Sequence, residues 1–444
     1  MTAVLRPAPF NRPEQPTNRP GTPRDAAPAS GPAADPRSAR LLRAAHACVD
    51  VLLAAGIEIG NETLWPSWEI GEKGAERVVT GPIGFYGADA GIVWSLGKLA
   101  ASLGRPDAGR AAARGARRVA RLAGQVEAGG LLSGRGGVAL ALDAAGLEWP
   151  APEASVLTDL TAGTAGSLLA WARLAAERGA AGNGAAGSGA AGSGADGYEH
   201  ATALLAALTE AAVPHPWGVC WPERALGERP LCGLSHGNSG MLLALVEASA
   251  AWPSLAGEAL ALAHQAWRWE AAHLDPQRGG WPDLREGGIS YPALWCHGSA
   301  GAGAVRLRML ELADRVPLPW PLDSVRAEAE VAVQACGREV VKVTDAARAG
   351  EAPALGLTLC HGTGGPLGVL ALAARVLDEP RHLRTAREAC CAVLEVLPEE
   401  PSDWPCGLRG ADGDLSWANG LAGTALLLAE LAAPDAASSV VLLR

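Results

Sequence analysis

The chain has 444 residues, of which 49 % are apolar, and a formal net charge of −10. That length suits two or three ordinary domains or one large repeat-built domain, and no stretch approaches the ~18 uninterrupted apolar residues of a membrane-spanning helix. The two signs of charge are scattered, which argues against a nucleic-acid surface built on phosphate neutralisation.

Residues 1–38 are dense in proline and contain no apolar core of a signal peptide, so a disordered tail is expected there. The nine cysteines, without an export signal, read as core residues, metal ligands or reactive thiols of a cytoplasmic protein, and not as a disulfide framework. From residue 39 to 434 one glycine-centred pattern recurs. It reads GADAGIVWSL from Gly87, SGRGGVALAL from Ser133, TAGTAGSLLA from Thr161, SHGNSGMLLA from Ser235, CHGSAGAGAV from Cys296, CHGTGGPLGV from Cys360 and ANGLAGTALL from Ala418.

Downstream of the motifs, segments such as Met241–Trp252, Ala302–Asp314 and Leu421–Leu431 are rich in helix formers. The segments that precede motifs, Arg40–Ala55, Ala201–Ala212, Glu258–His273, Val325–Val341 and Arg384–Leu397, are amphipathic and helical too. Self-similarity at tens of residues marks a supersecondary unit that buries its apolar face only against its neighbours. Period-two strand patterns are almost absent. The expected fold is therefore all-α, an α/α toroid of about seven helical hairpins with the glycine loops at one mouth. Arg178–Gly197, a Gly/Ala/Ser stretch, is expected to be a flexible surface insertion, and residues 435–444 a C-terminal tail.

Cys232, His236, Cys296, His297, Cys360 and His361 fall inside glycine motifs or shortly before them. Singly, a cysteine of this kind is most simply an inert buried residue, and a histidine a satisfied core or capping residue. Cys296 and Cys360, however, both stand two places before the leading glycine of consecutive motifs, whose repeats are neighbours in space. Two thiolates and an imidazole can then meet. Zinc favours that donor set in tetrahedral geometry, and three protein ligands leave a fourth position open for substrate.

WCHGSAG at Trp295–Gly301, CHGTGG at Cys360–Gly365, GLSHGNSG at Gly233–Gly240 and NGLAG at Asn419–Gly423 together resemble the lanthionine synthetase C-like cyclase family, over about Gly84 to Leu428. The resemblance implies an α/α toroid with zinc held by Cys296, Cys360 and His361. It also implies addition of a peptide cysteine thiolate to dehydroalanine or dehydrobutyrine, closing a lanthionine or methyllanthionine ring. It places the acid that protonates the resulting enolate at His236, for which the plainer reading is a helix-entry histidine bonded to a neighbouring loop. Asp159 falls where the family has its aspartate, beside His236; its plainer reading is an N-cap. His297 and Trp295 are assigned to substrate contact or to support of the ligands. Many bacterial members carry an arginine four places before the first zinc cysteine, where this chain has Pro292.

The partners so implied are a dehydrated precursor peptide and a separate dehydratase, with neither nucleic acid nor a transmembrane segment. Three rivals stay open: thiol addition with glutathione, as in some family members of higher organisms, a non-catalytic zinc-containing peptide scaffold, and carbohydrate processing on a toroid. The last needs paired carboxylates at the mouth, where the motifs supply Cys and His instead.

Overall fold

The computed structural model describes residues 35–71, 74–78, 83–127, 129–180, 194–223, 229–285, 289–408, 412–434 and 438–444. Residues 1–34 of the expected tail and 181–193 of the expected insertion lie outside them. Thirteen α-helices are described, in chain order α1 (Pro36–Ala55), α2 (Asp89–Ser102), α3 (Pro106–Leu122), α4 (Arg135–Ala144), α5 (Thr164–Ala180), α6 (Gly194–Ala211) and α7 (Asn238–Ala251). There follow α8 (Ala256–Ala271), α9 (Ser299–Leu312), α10 (Leu322–Arg348), α11 (Gly364–Val376), α12 (Arg381–Val396) and α13 (Leu421–Ala432). The described strands form short antiparallel pairs, such as Ile57–Ile59 with Glu62–Leu64. Among the described residues no helix is long and apolar enough to cross a membrane.

Each glycine motif opens one helix of an inner ring. α2 packs on α4, α4 on α5, α5 on α7, α7 on α9, α9 on α11, α11 on α13, and α13 returns to α2. These helices are covered on every face: α7 is buried from Asn238 to Ser249 without a break. Outside them α3 lies on α2, α6 on α5, α8 on α7, α10 on α9 and α12 on α11. The outer helices are amphipathic, as one-sided burial requires; in α3 the buried side is carried by Ala108, Ala112, Gly115, Ala116 and Val119. Each hairpin thus runs motif helix first. The ring is closed by α1, which covers α13.

This is the expected toroid of seven repeats, with one difference. No outer helix follows α4, and residues 145–163 cross the outer layer as irregular chain. Gly146, Pro150 and Pro152 account for this, since proline removes a helical N–H and glycine ends helices cheaply. Trp171 holds that segment by donating its indole N–H to the Pro152 carbonyl at 2.9 Å.

The motif glycines have a steric cause. In every repeat a Cβ on the second glycine (Gly91, Gly137, Gly166, Gly240, Gly301, Gly365, Gly423) would lie 1.9–2.8 Å from the carbonyl oxygen of the residue six places earlier. Any side chain there would push the inner helix off its own entry loop, which is why the pattern repeats with so little else held in common.

The chain's ends depart from expectation. α1 starts at Pro36, inside the expected tail, and the expected C-terminal tail is core: Val440, Val441, Leu442 and Leu443 are all buried. An apolar VVLL sequence gains by leaving water, and the inner helices α9, α11 and α13 receive it. The α5 and α6 helices likewise extend into both ends of the expected 178–197 insertion.

Candidate metal centre

Counting five places back from each second motif glycine gives Tyr86, Leu132, Thr161, Ser235, Cys296, Cys360 and Ala418, equivalent residues of the seven repeats. They bond to one another through the backbone. The N–H of Tyr86 donates to the Leu132 carbonyl (2.8 Å), Leu132 to Thr161 (3.0 Å), Thr161 to Ser235 (3.3 Å), Ser235 to Cys296 (3.1 Å), Cys360 to Ala418 (3.0 Å) and Ala418 to Tyr86 (3.1 Å). Among the described residues one link is missing from this circle, that from the Cys296 N–H to the Cys360 carbonyl. There the Cys296 sulfur approaches the Cys360 carbonyl oxygen at 3.7 Å instead.

The circle breaks where the two cysteines of the sequence analysis meet. One ligand atom each from Cys296, Cys360 and His361 lies within 4.8 Å of the others, the cysteines buried and the histidine half-buried. Hydrogen bonds from the Cys360 thiol and the His361 ring hold the Cys296 thiol well below its usual pKa, against burial. Burial and that neighbouring sulfur push Cys360 the other way, and the Cys296 sulfur raises His361. Away from this cluster burial pushes the Cys336 thiol up to about 12 and the Cys406 thiol up to about 11.

This donor set fits a zinc ion. Two sulfurs and a nitrogen converge there. Gly298, which opens α9 just after Cys296 and His297, has φ +96° and would place a Cβ 2.0 Å from the Pro292 carbonyl. That carbonyl accepts the Ser299 N–H at 2.9 Å. Pro292, standing where the family's arginine is expected, is thus part of the loop's frame. A positive charge reaches both sulfurs from elsewhere: Arg285, held by Asp283 at 2.6 Å.

One repeat away, His236 Nδ1 meets Asp159 Oδ2 at 2.5 Å. The other Asp159 oxygen accepts the Ala162 N–H at 2.7 Å, so Asp159 both secures its own loop and faces the histidine. His236 stacks on His297, ring centres 5.9 Å apart and 19° from parallel. His297 is buried, and that burial lowers its pKa. The structure therefore brings Asp159, His236, His297, Cys296, Cys360 and His361 to one face of the ring. Substrate contact is closed to Trp295: it is fully buried and donates its indole N–H to the Val441 carbonyl at 2.9 Å, beneath the cysteine loop.

Sequence reasoning passed over two residues at this site. Tyr86 occupies the cysteine position of the first repeat, and its hydroxyl meets the side-chain amide of Asn419, accepting from Nδ2 at 3.2 Å and facing Oδ1 at 3.5 Å. Lining up all seven motifs on their second glycine would have put Tyr86 in register with the cysteines. Beside Tyr86 opens a cavity of about 520 Å³, lined in large part by Trp68, Ile83, Leu122, Val126 and Leu132, within the size range of ligand pockets.

Compared with known proteins, residues 197–443 match the family model described as lanthionine synthetase C-like protein. Among solved structures the chain is similar to nisin cyclase, with 15 % identity over 77 % of this chain and 86 % of that one and a TM-score of 0.42. No curated protein matches it significantly.

Proposed function

Because the chain belongs to the lanthionine synthetase C-like family, we propose that it is a zinc-dependent cyclase that adds cysteine thiols to dehydrated residues of a peptide, forming thioether rings. The observation that carries this reading is the placing of Cys296, Cys360 and His361 within 4.8 Å of one another, one repeat from a His236–Asp159 pair in 2.5 Å contact.

The chemistry is an addition with no net oxidation. A substrate thiolate sulfur attacks the β-carbon of dehydroalanine or dehydrobutyrine, the alkene electrons move onto the adjacent carbonyl as an enolate, and the α-carbon then takes up one proton. A zinc ion bound to the three side chains would keep the attacking thiol deprotonated at neutral pH. Cys296 and Cys360, as two thiolates, would offset that ion's charge and leave the substrate sulfur electron-rich. His236 is the proton donor: Asp159 orients its ring through Nδ1, and the imidazole supplies the proton that the enolate takes up. The carboxylate fixes that ring orientation. The buried His297 ring against His236 limits its movement, and the apolar cavity beside Tyr86 gives room to a flanking segment of the peptide. On this reading the peptide arrives already dehydrated by a separate enzyme.

The test is direct. A peptide carrying one cysteine and one dehydroalanine should lose its free thiol, without change of mass, when incubated with the protein, as counted by alkylation and mass spectrometry. Persistence of the thiol at unchanged mass, with zinc bound, would reject the cyclase reading in favour of a binding scaffold; a peptide that keeps its own thiol and gains the mass of glutathione when glutathione is supplied would favour the glutathione reaction.

A further inference from the structure

The motif loops do not crowd the mouth of the ring evenly. Four places before the second glycine, the fourth to seventh repeats carry His236, His297, His361 and Asn419, while the first two carry Gly87 and Ser133. Glycine at position 87 answers no demand of the fold. Its φ lies outside the left-handed region, and a Cβ there would meet nothing within 4 Å, unlike the second glycine of the same motif. A glycine where a side chain would fit leaves open space.

That space belongs to the cavity of about 520 Å³, which Gly87, Ser133 and Tyr86 all line. A second wall comes from the hairpin of Ser67–Gly71 with Gly74–Val78, through Ser67 and Trp68, and a third from Leu122 at the end of α3. Within this largely apolar lining the Ser67 hydroxyl is buried and has no hydrogen-bond partner. A buried hydroxyl left unpaired is costly, and a ligand that brings it a polar atom recovers that cost. Apolar walls around one such group are the usual make-up of a ligand site.

The cavity stands close to the metal centre along the backbone circle. The Cys360 N–H donates to Ala418 at 3.0 Å and the Ala418 N–H to Tyr86 at 3.1 Å. Two such steps at ~5 Å each cover about 10 Å, which roughly three residues of extended peptide span. The geometry points to a specificity pocket that takes an aromatic side chain with a polar tip, tyrosine or tryptophan, about three residues from the reacting cysteine of the peptide substrate. The ring lies among Trp68 and the apolar walls, and its hydroxyl or indole N–H meets Ser67 Oγ. This deepens the cyclase reading and rests on it.

The experiment measures binding apart from turnover. The probes are fluorescein-labelled peptides with one cysteine, alanine in place of dehydroalanine, and tyrosine, phenylalanine or glycine three residues from the cysteine, on either side. With the zinc-loaded full chain, fluorescence anisotropy should show the tyrosine peptide of one orientation binding about tenfold or more tighter than its glycine counterpart, with phenylalanine between them. Ser67→Ala should bring tyrosine and phenylalanine level. Gly87→Trp, which fills the cavity, should bring all three level while thermal midpoint and zinc content stay near wild type. If Gly87→Trp does not fold, Ser133→Trp, at an exposed position of the lining, carries the same expectation. Equal binding of the three peptides by wild type in both orientations overturns the pocket, as does an aromatic preference that survives the tryptophan variant. The dehydroalanine forms of the same peptides separate the two readings. Thiols consumed without any aromatic preference leave the cyclase and remove the pocket; a preference abolished by Gly87→Trp, with no thiol consumed, leaves the pocket and removes the cyclase.

Discussion

Asp159 and His236 come from different repeats, 77 positions apart, and meet through Oδ2 and Nδ1 at 2.5 Å. The contact sets the orientation of the ring, while the second Asp159 oxygen stays on the Ala162 N–H. Asn at position 159 can still accept from Ala162 but presents no charge to the histidine. Asp159→Asn should therefore keep its thermal midpoint and zinc content and lose about a hundredfold or more in ring closure, as should His236→Asn. Free-thiol counting on a dehydrated peptide measures this; full activity in both variants would remove the pair from the mechanism.

The ligand set proposed above, Cys296, Cys360 and His361, predicts about one zinc per chain. Cys296→Ala and Cys360→Ala should each lose most of it under a chelator challenge, measured by elemental analysis. Cys336→Ala should keep it, because that thiol lies fully buried in the outer helix α10. Zinc retained in full by both ligand variants would defeat the assignment.

The toroid was legible in the sequence because its period is enforced sterically: each second glycine lies against a carbonyl where no Cβ fits. The ligand triad was legible because cysteine and histidine at one motif position in successive repeats have few other uses. What stayed hidden is contact without periodicity. Tyr86 shares the cysteine position, but nothing in its own motif announces that its hydroxyl meets the Asn419 amide of the seventh repeat, 333 positions away. The missing outer helix after α4 shows as Gly146, Pro150 and Pro152, punctuation too ordinary to read alone. The C-terminal VVLL could be placed in the core only once Trp295 was seen to bond to it.

That last segment makes a stability prediction. Leu442 is fully buried, and its carbonyl accepts the Arg173 guanidinium at 2.9 Å. Leu442→Ala should cost about 2–5 kcal/mol, read by denaturant unfolding, and deleting residues 438–444 should cost more because Trp295 then loses its acceptor and Arg173 keeps only Glu247. Unchanged stability on deletion would restore the reading of this segment as a tail.

Glu430 gives a pH dependence. Its carboxylate accepts the Val440 N–H at 2.8 Å, and burial raises its pKa to about 7 despite the nearby Arg375 and Arg444. Between about pH 4.5 and 7 the folded chain holds a proton that the unfolded chain has released. This contribution to stability is therefore fully present below the lower limit and lost as pH rises through the upper one. The drop in thermal midpoint from pH 5 to 7 should be smaller in Glu430→Gln than in wild type; an equal drop would show that the group does not titrate there.

Glu270 underlies the His236 loop, and its removal should uncouple that loop from the ring. The side chain is fully buried. Its Oε1 accepts the N–H groups of Gly233 and Ser239 at 3.0 Å each, which bracket His236, and its Oε2 accepts the Ser239 hydroxyl at 2.6 Å. Arg306, also fully buried, donates to it at 2.7 Å and to Glu328 at 2.8 Å. Desolvating such ions is costly, and breaking the pair from one side leaves a buried guanidinium short of a counter-charge, which typically costs about 3–5 kcal/mol. Glu270→Gln preserves one acceptor for the two backbone N–H groups, so its unfolding free energy should fall by less than that of Glu270→Ala. Both should keep zinc, since neither Cys296, Cys360 nor His361 is touched. Ring closure should fall further in Glu270→Ala than in Glu270→Gln when both are assayed well below their thermal midpoints. Equal stability losses in the two variants would mean that the charge on Arg306, and not the hold on Gly233 and Ser239, is what Glu270 supplies.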